Sequence, residues 1–327
     1  MHKCVFMDEK RQKLVEVAKA YFLENRTQAE IAHNLGISRS QVSRYLTDAR
    51  EQGIVLIRII EENNQTSSIG KTLQGRYPHL QHVAVAPTFG YTPNTVWANI
   101  GRYAANFLLN ILQPGQSVTL GCGRTLEAMV KALPTKDYEG ISISQAMGNL
   151  GHEAHGIDYN EIARVAVEKL GAKAHYVSAP AILGSGSAQD FLNNNPMLKN
   201  ALHIACDADI FMVGIGSMES DLVYTRFGLI QEHELQELTG RVVGDICGRF
   251  FDRNGVEISS AFEERLIGIT LKDLKNAQNA VALAGGADKA APLLGAIRGK
   301  WINGLVSDEQ TIHSILALDD TYLNVGV

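Results

Sequence analysis

Residues 27–53 read TQAEIAHNLGISRSQVSRYLTDAREQG and contain two helix starts that are separated by a tight turn. Thr27 and Glu30 form a capping box, in which a hydroxyl and a carboxylate satisfy backbone amides at a helix N-terminus. Ser38 and Gln41 form a second capping box, and Gly36 supplies a backbone that can turn sharply between the two helices. The spacing predicts a helix-turn-helix.

The second of these helices has one apolar side and one polar side. A step of about 100° per residue places the apolar residues together, namely Val42, Tyr45, Leu46 and Ala49. The opposite side carries Ser40, Ser43, Arg44 and Thr47. Small polar groups let a helix approach a major groove, while an arginine reaches a guanine edge or a phosphate. The alternative is a helical hairpin whose polar face only meets water.

The residues predicted to contact DNA come from both helix starts and from this polar face. They are Thr27, Gln28, Arg39, Ser40, Gln41, Ser43, Arg44 and Thr47. Arg44 is the principal candidate for a base contact, whereas Arg39 and Gln41 flank the face and are candidates for phosphate or edge contacts.

The chain of 327 residues exceeds one usual domain, and its length fits a small domain followed by one of roughly 250 residues. Its net charge of −5 argues against a basic nucleic-acid coat over the whole protein. Residues 1–60 nevertheless carry a net charge of +3 and the remainder −8. A DNA-binding head on an acidic body fits this uneven distribution.

Four scattered cysteines, without CxxC spacing, indicate neither a disulfide framework nor a zinc site, and they favour a reducing compartment. The sequence has no uninterrupted apolar run of about 18 residues and no apolar leader at residues 1–6. We therefore expect a cytoplasmic protein with no membrane partner.

The head is completed by an amphipathic helix predicted at Glu9–Leu23 and by a β-branched run at Ile54–Ile60, which is interpreted as a wing strand or as the exit from the domain. The polar segment 61–68 (EENNQTSS) is interpreted as a linker. The predicted domains are residues 1–60, a small all-α winged helix-turn-helix, and residues 69–327.

Residues 69–327 alternate short apolar runs with helical patterns, which predicts a three-layer α/β domain with a mainly parallel sheet. The candidate strands are His82–Ala86, Val118–Leu120, Ile141–Ser144, Ala174–Val177, Ile210–Val213, Val242–Ile246, Ala280–Ala284 and Ile302–Val306. The candidate helices are Thr95–Leu112, Leu126–Leu133, Tyr159–Leu170, Ala287–Arg298 and Asp308–Leu318. Ligands of such sheets bind outside the carboxyl ends of the strands.

Glycine-rich turns follow several of these strands. The segment 121–125 (GCGRT) opens a helix, where backbone amides and the helix dipole favour an anion. Asp245 lies inside the apolar run VVGDICGRFF and is placed to accept hydrogen bonds from sugar hydroxyls, or alternatively to act as a structural cap or internal ion pair. Lys289, after Gly285 and Gly286, is a candidate donor or a plain surface lysine.

The motifs GCGRT, APAILGS, VGIGS, VGDICGRFFD and GAIRGKWINGLVSDEQT, together with the head, resemble those of the SorC-type sugar-responsive bacterial transcription regulators. The resemblance implies an effector domain similar in fold to sugar-phosphate isomerases and glucosamine-phosphate deaminases. It places the effector's phosphate on Gly121, Gly123, Arg124 and Thr125. The sugar would face Gly148, Pro180, Gly216, Asp245 and Lys289. Cys122 stands where many members have an aromatic residue, so that wall of the pocket is expected to differ.

The expected function is sequence-specific regulation of a carbohydrate-utilisation operon, with operator DNA and a phosphorylated sugar or polyol as partners. A single head makes few contacts, so at least a dimer is expected, and the resemblance implies a tetramer. The alternative is a sugar-phosphate isomerase or deaminase with a DNA-binding head, for which Asp245 is the only candidate base. No cofactor and no metal are expected, since HEAH at 152–155 is one residue short of HExxH.

Overall fold

The computed structural model describes residues 2–52, 54–55, 67–88, 92–151, 159–218, 223–226 and 228–325. The chain divides into two compact units, residues 1–64 and residues 65–327. Of the predicted wing strand only Ile54 and Val55 belong to the described residues, and residues 61–66 of the predicted linker lie outside them. Ser67 caps a helix that begins at Ser68, so these two residues belong to the second domain rather than to a linker.

The described residues of the first unit form three helices, α1 (His2–Phe22), α2 (Gln28–Leu35) and α3 (Arg39–Glu51). The first helix begins earlier than the predicted Glu9, but its described inner face is the predicted one. The residues that form the core of this unit are Leu14, Val17, Ala18, Ile31, Ala32, Val42, Leu46 and Ala49. The prediction of a helical head with a buried side on its last helix is confirmed.

Within the ranges that the structure describes, the second unit contains ten strands in two sheets. They are β1 (His82–Ala86), β2 (Ser117–Leu120), β3 (Ser142–Gln145), β4 (Lys173–His175), β5 (Ile210–Gly214), β6 (Gly216–Ser217), β7 (Gly244–Ile246), β8 (Arg249–Phe251), β9 (Asn279–Leu283) and β10 (Gly304–Asp308). Seven of them form one sheet in the order β1-β10-β9-β5-β2-β3-β4, and every pair in it is parallel. The predicted parallel α/β domain is confirmed.

Helices cover both faces of this sheet. The longer ones are α4 (Ser68–Arg76), α5 (Pro93–Ile111), α6 (Arg124–Ala132), α7 (Tyr159–Leu170), α9 (Pro196–Cys206), α14 (Ala290–Arg298) and α15 (Glu309–Val325). The shorter ones are α8 (Ala188–Asn193), α10 (Val223–Arg226), α11 (Glu232–Leu238), α12 (Ala261–Glu264) and α13 (Leu271–Asn276). One core lies between the sheet and α5, α6 and α7, and the other between the sheet and α4, α14 and α15. The domain therefore has three layers.

The predicted strand Val242–Ile246 is not part of the main sheet. Its residues 244–246 form β7, which pairs antiparallel with β6 and β8 in a separate small sheet. Cys247 and Gly248 form the two-residue turn between β7 and β8 with φ of 51° and 81°, which is the conformation of a type I′ hairpin turn. The usual Asn-Gly or Asp-Gly signal for such a hairpin is missing here, so the apolar run looked like a single buried strand.

The chain reverses its direction of travel across the sheet between β2 and β5. From β2 it continues through α6 to β3 on one side, and from β5 it continues to β9 on the other. Loops at such a switch point diverge and leave a crevice at the carboxyl ends of the strands. The first turn of α6 follows β2 and therefore lies at this crevice.

The position of α6 depends on a close approach to α5. A Cβ atom built on Gly101 would lie 2.5 Å from the Ala128 carbonyl carbon and 2.7 Å from the Met129 nitrogen. No larger side chain fits there without moving a backbone. Gly75, a second glycine inside a helix, has nothing within 4 Å of the corresponding point.

We expect Gly101→Ala to lower the free energy of unfolding of the second unit by about 1–3 kcal/mol, because the added methyl group forces α5 and α6 apart. Gly75→Ala is the matched control and should be neutral or stabilising by up to about 1 kcal/mol, since it only restricts the unfolded chain. Urea unfolding followed by circular dichroism measures both. Equal effects of the two substitutions would contradict the close approach.

Candidate functional site

The predicted DNA-reading element starts with two intact capping boxes. The Thr27 hydroxyl accepts from the Glu30 amide at 3.3 Å, and the Glu30 carboxylate accepts from the Thr27 amide at 2.7 Å. Ser38 and Gln41 repeat the arrangement, with distances of 3.2 Å in both directions. Gly36 ends α2 in the left-handed conformation with φ of 62°. The sequence-derived turn between the helices is confirmed.

The predicted polar face of α3 is exposed, while Val42, Leu46 and Ala49 are buried. The exposed residues on it and at its start are Arg39, Ser40, Gln41, Ser43, Arg44 and Thr47. This arrangement supports a helix whose outer side meets DNA. Whether each of these residues touches DNA stays a prediction.

Some of the predicted DNA contacts have structural duties that reduce their availability. The Gln41 side-chain oxygen accepts from the Ser38 amide, and the Thr27 hydroxyl belongs to the first capping box. The Thr47 hydroxyl donates to the Ser43 carbonyl at 3.1 Å. These groups hold the helices in place and are therefore weaker candidates for base reading than Arg39 and Arg44, which are both exposed.

The predicted phosphate loop leads from β2 into α6, and its residues have different structural roles. Gly123 caps α6 with φ of 132°, a conformation suited to glycine, and α6 has no side-chain cap among the described residues. Amides in the first turn of a helix have no intrahelical partner, so they can bind an anion. Arg124 is the first residue of this helix, and its guanidinium carbon lies 4.6 Å from the centre of the Trp97 ring.

Two atoms assigned to the phosphate are already used. The Gly121 amide donates to the Met212 carbonyl at 2.9 Å, which extends the sheet. The Thr125 hydroxyl is buried and donates to the Leu283 carbonyl at 2.8 Å, which ties α6 to the end of β9. In this structure the Gly121 amide and the Thr125 hydroxyl therefore donate inside the fold, and the phosphate contacts of these two residues stay predictions. The backbone amides of the first turn of α6 are the stronger candidates.

Asp245 lies in β7, is 5% exposed, and has the two donors that a buried carboxylate needs. Its Oδ2 accepts from the Gly248 amide at 2.9 Å and from the Tyr224 hydroxyl at 3.2 Å. Burial raises the pKa of Asp245, although these donors and the charge of Lys289 act in the opposite direction. Asp245 therefore has the structural role that the sequence left open as an alternative, because its hydrogen bonds fix the hairpin turn.

Gly216 lies beside Asp245 in the small sheet, and the charge of Lys289 acts on the Asp245 carboxylate. Sugar binding by these three residues stays a prediction. Gly216 is paired with Asp245 across β6 and β7, and a Cβ atom on it would lie 1.8 Å from Asp245 Oδ1. Lys289 ends a 3₁₀ turn, Ala287–Lys289, that contacts β6. The Lys289 side chain is only 20% exposed, which differs from a plain surface lysine, and its ammonium lies 3.3 Å from the Asp288 carboxylate. The three residues converge on one side of the crevice.

Gly148 and Pro180 form a separate pair after β3 and β4. A Cβ atom on Gly148 would lie 2.7 Å from the Pro180 carbonyl oxygen, and the Gly148 amide donates to the Ile267 carbonyl at 3.0 Å. Gly148 therefore serves loop packing, and the expectation that a sugar faces it stays a prediction. Pro180 is exposed.

Cys122 and Met147 connect these two groups of residues. The Cys122 sulfur lies 3.9 Å from the Met147 sulfur, and both residues line a small open recess at the ends of β2 and β3. Burial, with a smaller contribution from Asp245, raises the pKa of the Cys122 thiol to about 12. The thiol therefore stays neutral and forms an apolar wall at the position where the resemblance implies an aromatic residue in many members.

Sequence reasoning missed Trp97, Met147, Tyr224 and Cys247 as residues of this region. Tyr224 is 1% exposed and packs edge to face on Phe250, but it comes from α10, a four-residue helix without periodicity. Cys247 lies 3.4 Å from the point where a Gly121 Cβ atom would be. No sequence pattern connects these positions, because the tertiary fold alone brings them to the ends of β2 and β5.

Within the described ranges, no group of three or more His, Cys, Asp or Glu side chains could hold a metal ion. The two histidines of the HEAH segment, at 152 and 155, lie outside those ranges. Likewise, none of the described helices is long and apolar enough to cross a membrane.

Comparison with known families gives two matches along the chain. Residues 61–317 match the family described as a sugar-binding domain. Residues 11–52, which contain the helix-turn-helix, match region 4 of sigma-70.

Several curated relatives span nearly the whole chain. The deoxyribonucleoside regulator of Bacillus subtilis is 28% identical over 312 residues, covering 95% of this chain and 99% of the relative. The transcriptional regulator LsrR of Escherichia coli K12 is 31% identical over 313 residues, covering 93% and 94%. The crystal structure of the full-length sorbitol operon regulator SorC from Klebsiella pneumoniae superimposes with a TM-score of 0.71 at 28% identity, covering 94% and 99%.

We expect Arg44→Ala to lower affinity for a specific DNA site by about tenfold or more, because a lost base contact costs about 1–3 kcal/mol. Fluorescence anisotropy on a duplex selected by the protein from random DNA, and on a scrambled duplex of equal length, measures the loss. Ligand binding by the second unit should not change.

The control is Arg11→Ala, which removes an exposed arginine of α1 and should leave the ratio of specific to scrambled affinity unchanged. An Arg44→Ala protein that keeps the wild-type ratio would overturn the assignment of α3 as the recognition helix.

Proposed function

The chain belongs to the SorC-type family of sugar-responsive bacterial transcriptional regulators, and from this premise we propose that it controls a carbohydrate-utilisation operon in response to a phosphorylated sugar or polyol. The family match and the helix-turn-helix establish a DNA-binding transcriptional regulator with a sugar-binding domain. The isomerase or deaminase alternative is set aside, because the relatives are named as transcriptional regulators.

The first turn of α6 is the observation that supports a phosphorylated effector. It begins at Gly123, has no side-chain cap among the described residues, and starts with the cationic Arg124 at the carboxyl end of the central strand β2. Backbone amides and a positive helix end stabilise a dianionic phosphate, and a guanidinium adds charge-assisted hydrogen bonds. A neutral sugar would gain less than a phosphorylated one from this positive helix end.

The opposite side of the crevice suits the hydroxyl groups of a sugar or polyol. Asp245 and Lys289 supply an acceptor and a donor, and Gly216 leaves room for the carboxylate. Hydroxyl groups both donate and accept, so one polyol chain can satisfy both side chains. The thioether and thiol of Met147 and Cys122 would meet its apolar carbon face.

Control of transcription requires that the effector prefer one arrangement of the DNA-binding units over another. The change in operator affinity can be no larger than that preference. A single helix-turn-helix makes few base contacts, so we propose that the protein acts as a homodimer or homotetramer on a two-fold operator.

A thermal-shift screen against phosphorylated sugars, free sugars and polyols tests the phosphate. A compound at 100 times its dissociation constant stabilises the folded protein by about 2.7 kcal/mol, which raises the melting temperature. Stabilisation by phosphorylated compounds and not by their free counterparts is the expected result. The reverse pattern would refute the proposal.

We expect Arg124→Gln to weaken binding of the selected sugar phosphate by about 10- to 100-fold, because a charge-assisted hydrogen bond contributes about 1.5–3 kcal/mol. Isothermal titration calorimetry gives the dissociation constants. Lys131→Gln is the matched control, since it removes the same charge from the exposed far end of the same helix. Affinity that falls equally in both variants would indicate an effect of net charge rather than a phosphate contact.

A further inference from the structure

The chain has two tryptophans, and each lies beneath a cationic side chain. The Arg124 guanidinium carbon is 4.6 Å from the centre of the Trp97 ring, and the Lys275 ammonium nitrogen is 5.2 Å from that of Trp301. Both indoles are half-buried. The chain therefore contains a matched pair of cation–π contacts, of which one is at the first residue of α6.

Trp301 has an evident structural role. Its indole nitrogen donates to the Gly255 carbonyl at 2.9 Å, and its ring packs on the core beneath α14 and α15. Within the part of the chain that the structure describes, Trp97 is not among the side chains that form or pack on a hydrophobic core. A large indole of α5 thus lies outside the core, against a cation at the crevice.

The Trp97 ring restricts the conformations of the Arg124 side chain. Arginine has a long side chain that loses much rotamer freedom when it binds a ligand, and an aromatic face that holds it beforehand reduces that loss. A guanidinium that lies over a ring keeps its N–H groups at its edges, which is the geometry for two parallel hydrogen bonds to a phosphate. Lysine over Trp301 lacks that planar donor set.

We propose that Trp97 is a positioning residue of the effector site, which holds the Arg124 guanidinium at the N-terminus of α6 for the phosphate of the effector. The inference rests on the proposed function, because it takes Arg124 as a phosphate ligand. It adds a residue that no sequence motif of this chain indicated. It also makes the indole of Trp97 a neighbour of the bound phosphate.

The test uses the full-length chain, with inorganic phosphate and a panel of hexose and pentose monophosphates as probes. In Trp301→Phe, Trp97 is the remaining tryptophan, and its emission should change with the same midpoint that calorimetry gives for wild type. In Trp97→Phe, where Trp301 remains, the emission should stay constant. This part of the test leaves Trp97 itself intact, so it does not depend on whether a substitution of Trp97 folds.

Affinity provides the second readout. Trp97→Leu should bind the monophosphate about five- to thirtyfold more weakly, the range expected for a partly desolvated cation–π contact, and Trp97→Phe should recover most of the loss. Trp301→Phe should bind as wild type does. Unchanged melting temperatures of the unliganded variants would separate this effect from destabilisation.

The outcomes separate the inference from the proposed function. Monophosphate binding with constant emission in Trp301→Phe, or with wild-type affinity in Trp97→Leu, would overturn the role of Trp97 and leave the proposed function standing. Failure of every phosphorylated probe to bind wild type would overturn both.

Discussion

The close packing of α5 on α6 fixes the geometry of the effector domain. The absence of a side chain at Gly101 lets the two helices touch through their backbones, and the Thr125 hydroxyl ties the start of α6 to the end of β9. These two contacts hold the first turn of α6 at the carboxyl end of the central strand. A helix N-terminus attracts an anion over a short distance only, so its position decides where an anion can bind.

Electrostatically, the crevice has two unlike sides. The side at α6 offers amides and the Arg124 guanidinium, and the side at β7 holds a buried carboxylate, Asp245, whose pKa is raised by burial. The charged form of this carboxylate is stabilised by hydrogen bonds from Gly248 and Tyr224 and by the charge of Lys289. A ligand with one anionic end and a hydroxylated body complements both sides. The same hydrogen bonds that stabilise Asp245 also hold the hairpin turn, so this turn and the crevice are one structural unit.

In the DNA-binding head, hydrogen bonds fix the helices and leave few side chains for recognition. The capping boxes use Thr27, Glu30, Ser38 and Gln41 on backbone amides, which sets where α2 and α3 begin. Groups used in this way cannot also read bases with the same atoms. The exposed arginines of α3 therefore gain importance over the hydroxyl and amide groups that surround them.

The local features of the fold could be predicted from the amino-acid sequence, because capping, helical periodicity and β-branched runs act between neighbours along the chain. It predicted both capping boxes, the buried side of α3, and most strands of the parallel sheet. Three outcomes appeared only in the assembled fold: Val242–Ile246 contributes to a separate hairpin, the Gly121 amide and the Thr125 hydroxyl donate inside the fold, and Trp97 contacts Arg124. These outcomes depend on contacts between residues that are far apart in the chain. Such contacts form only when the strands and helices are brought side by side.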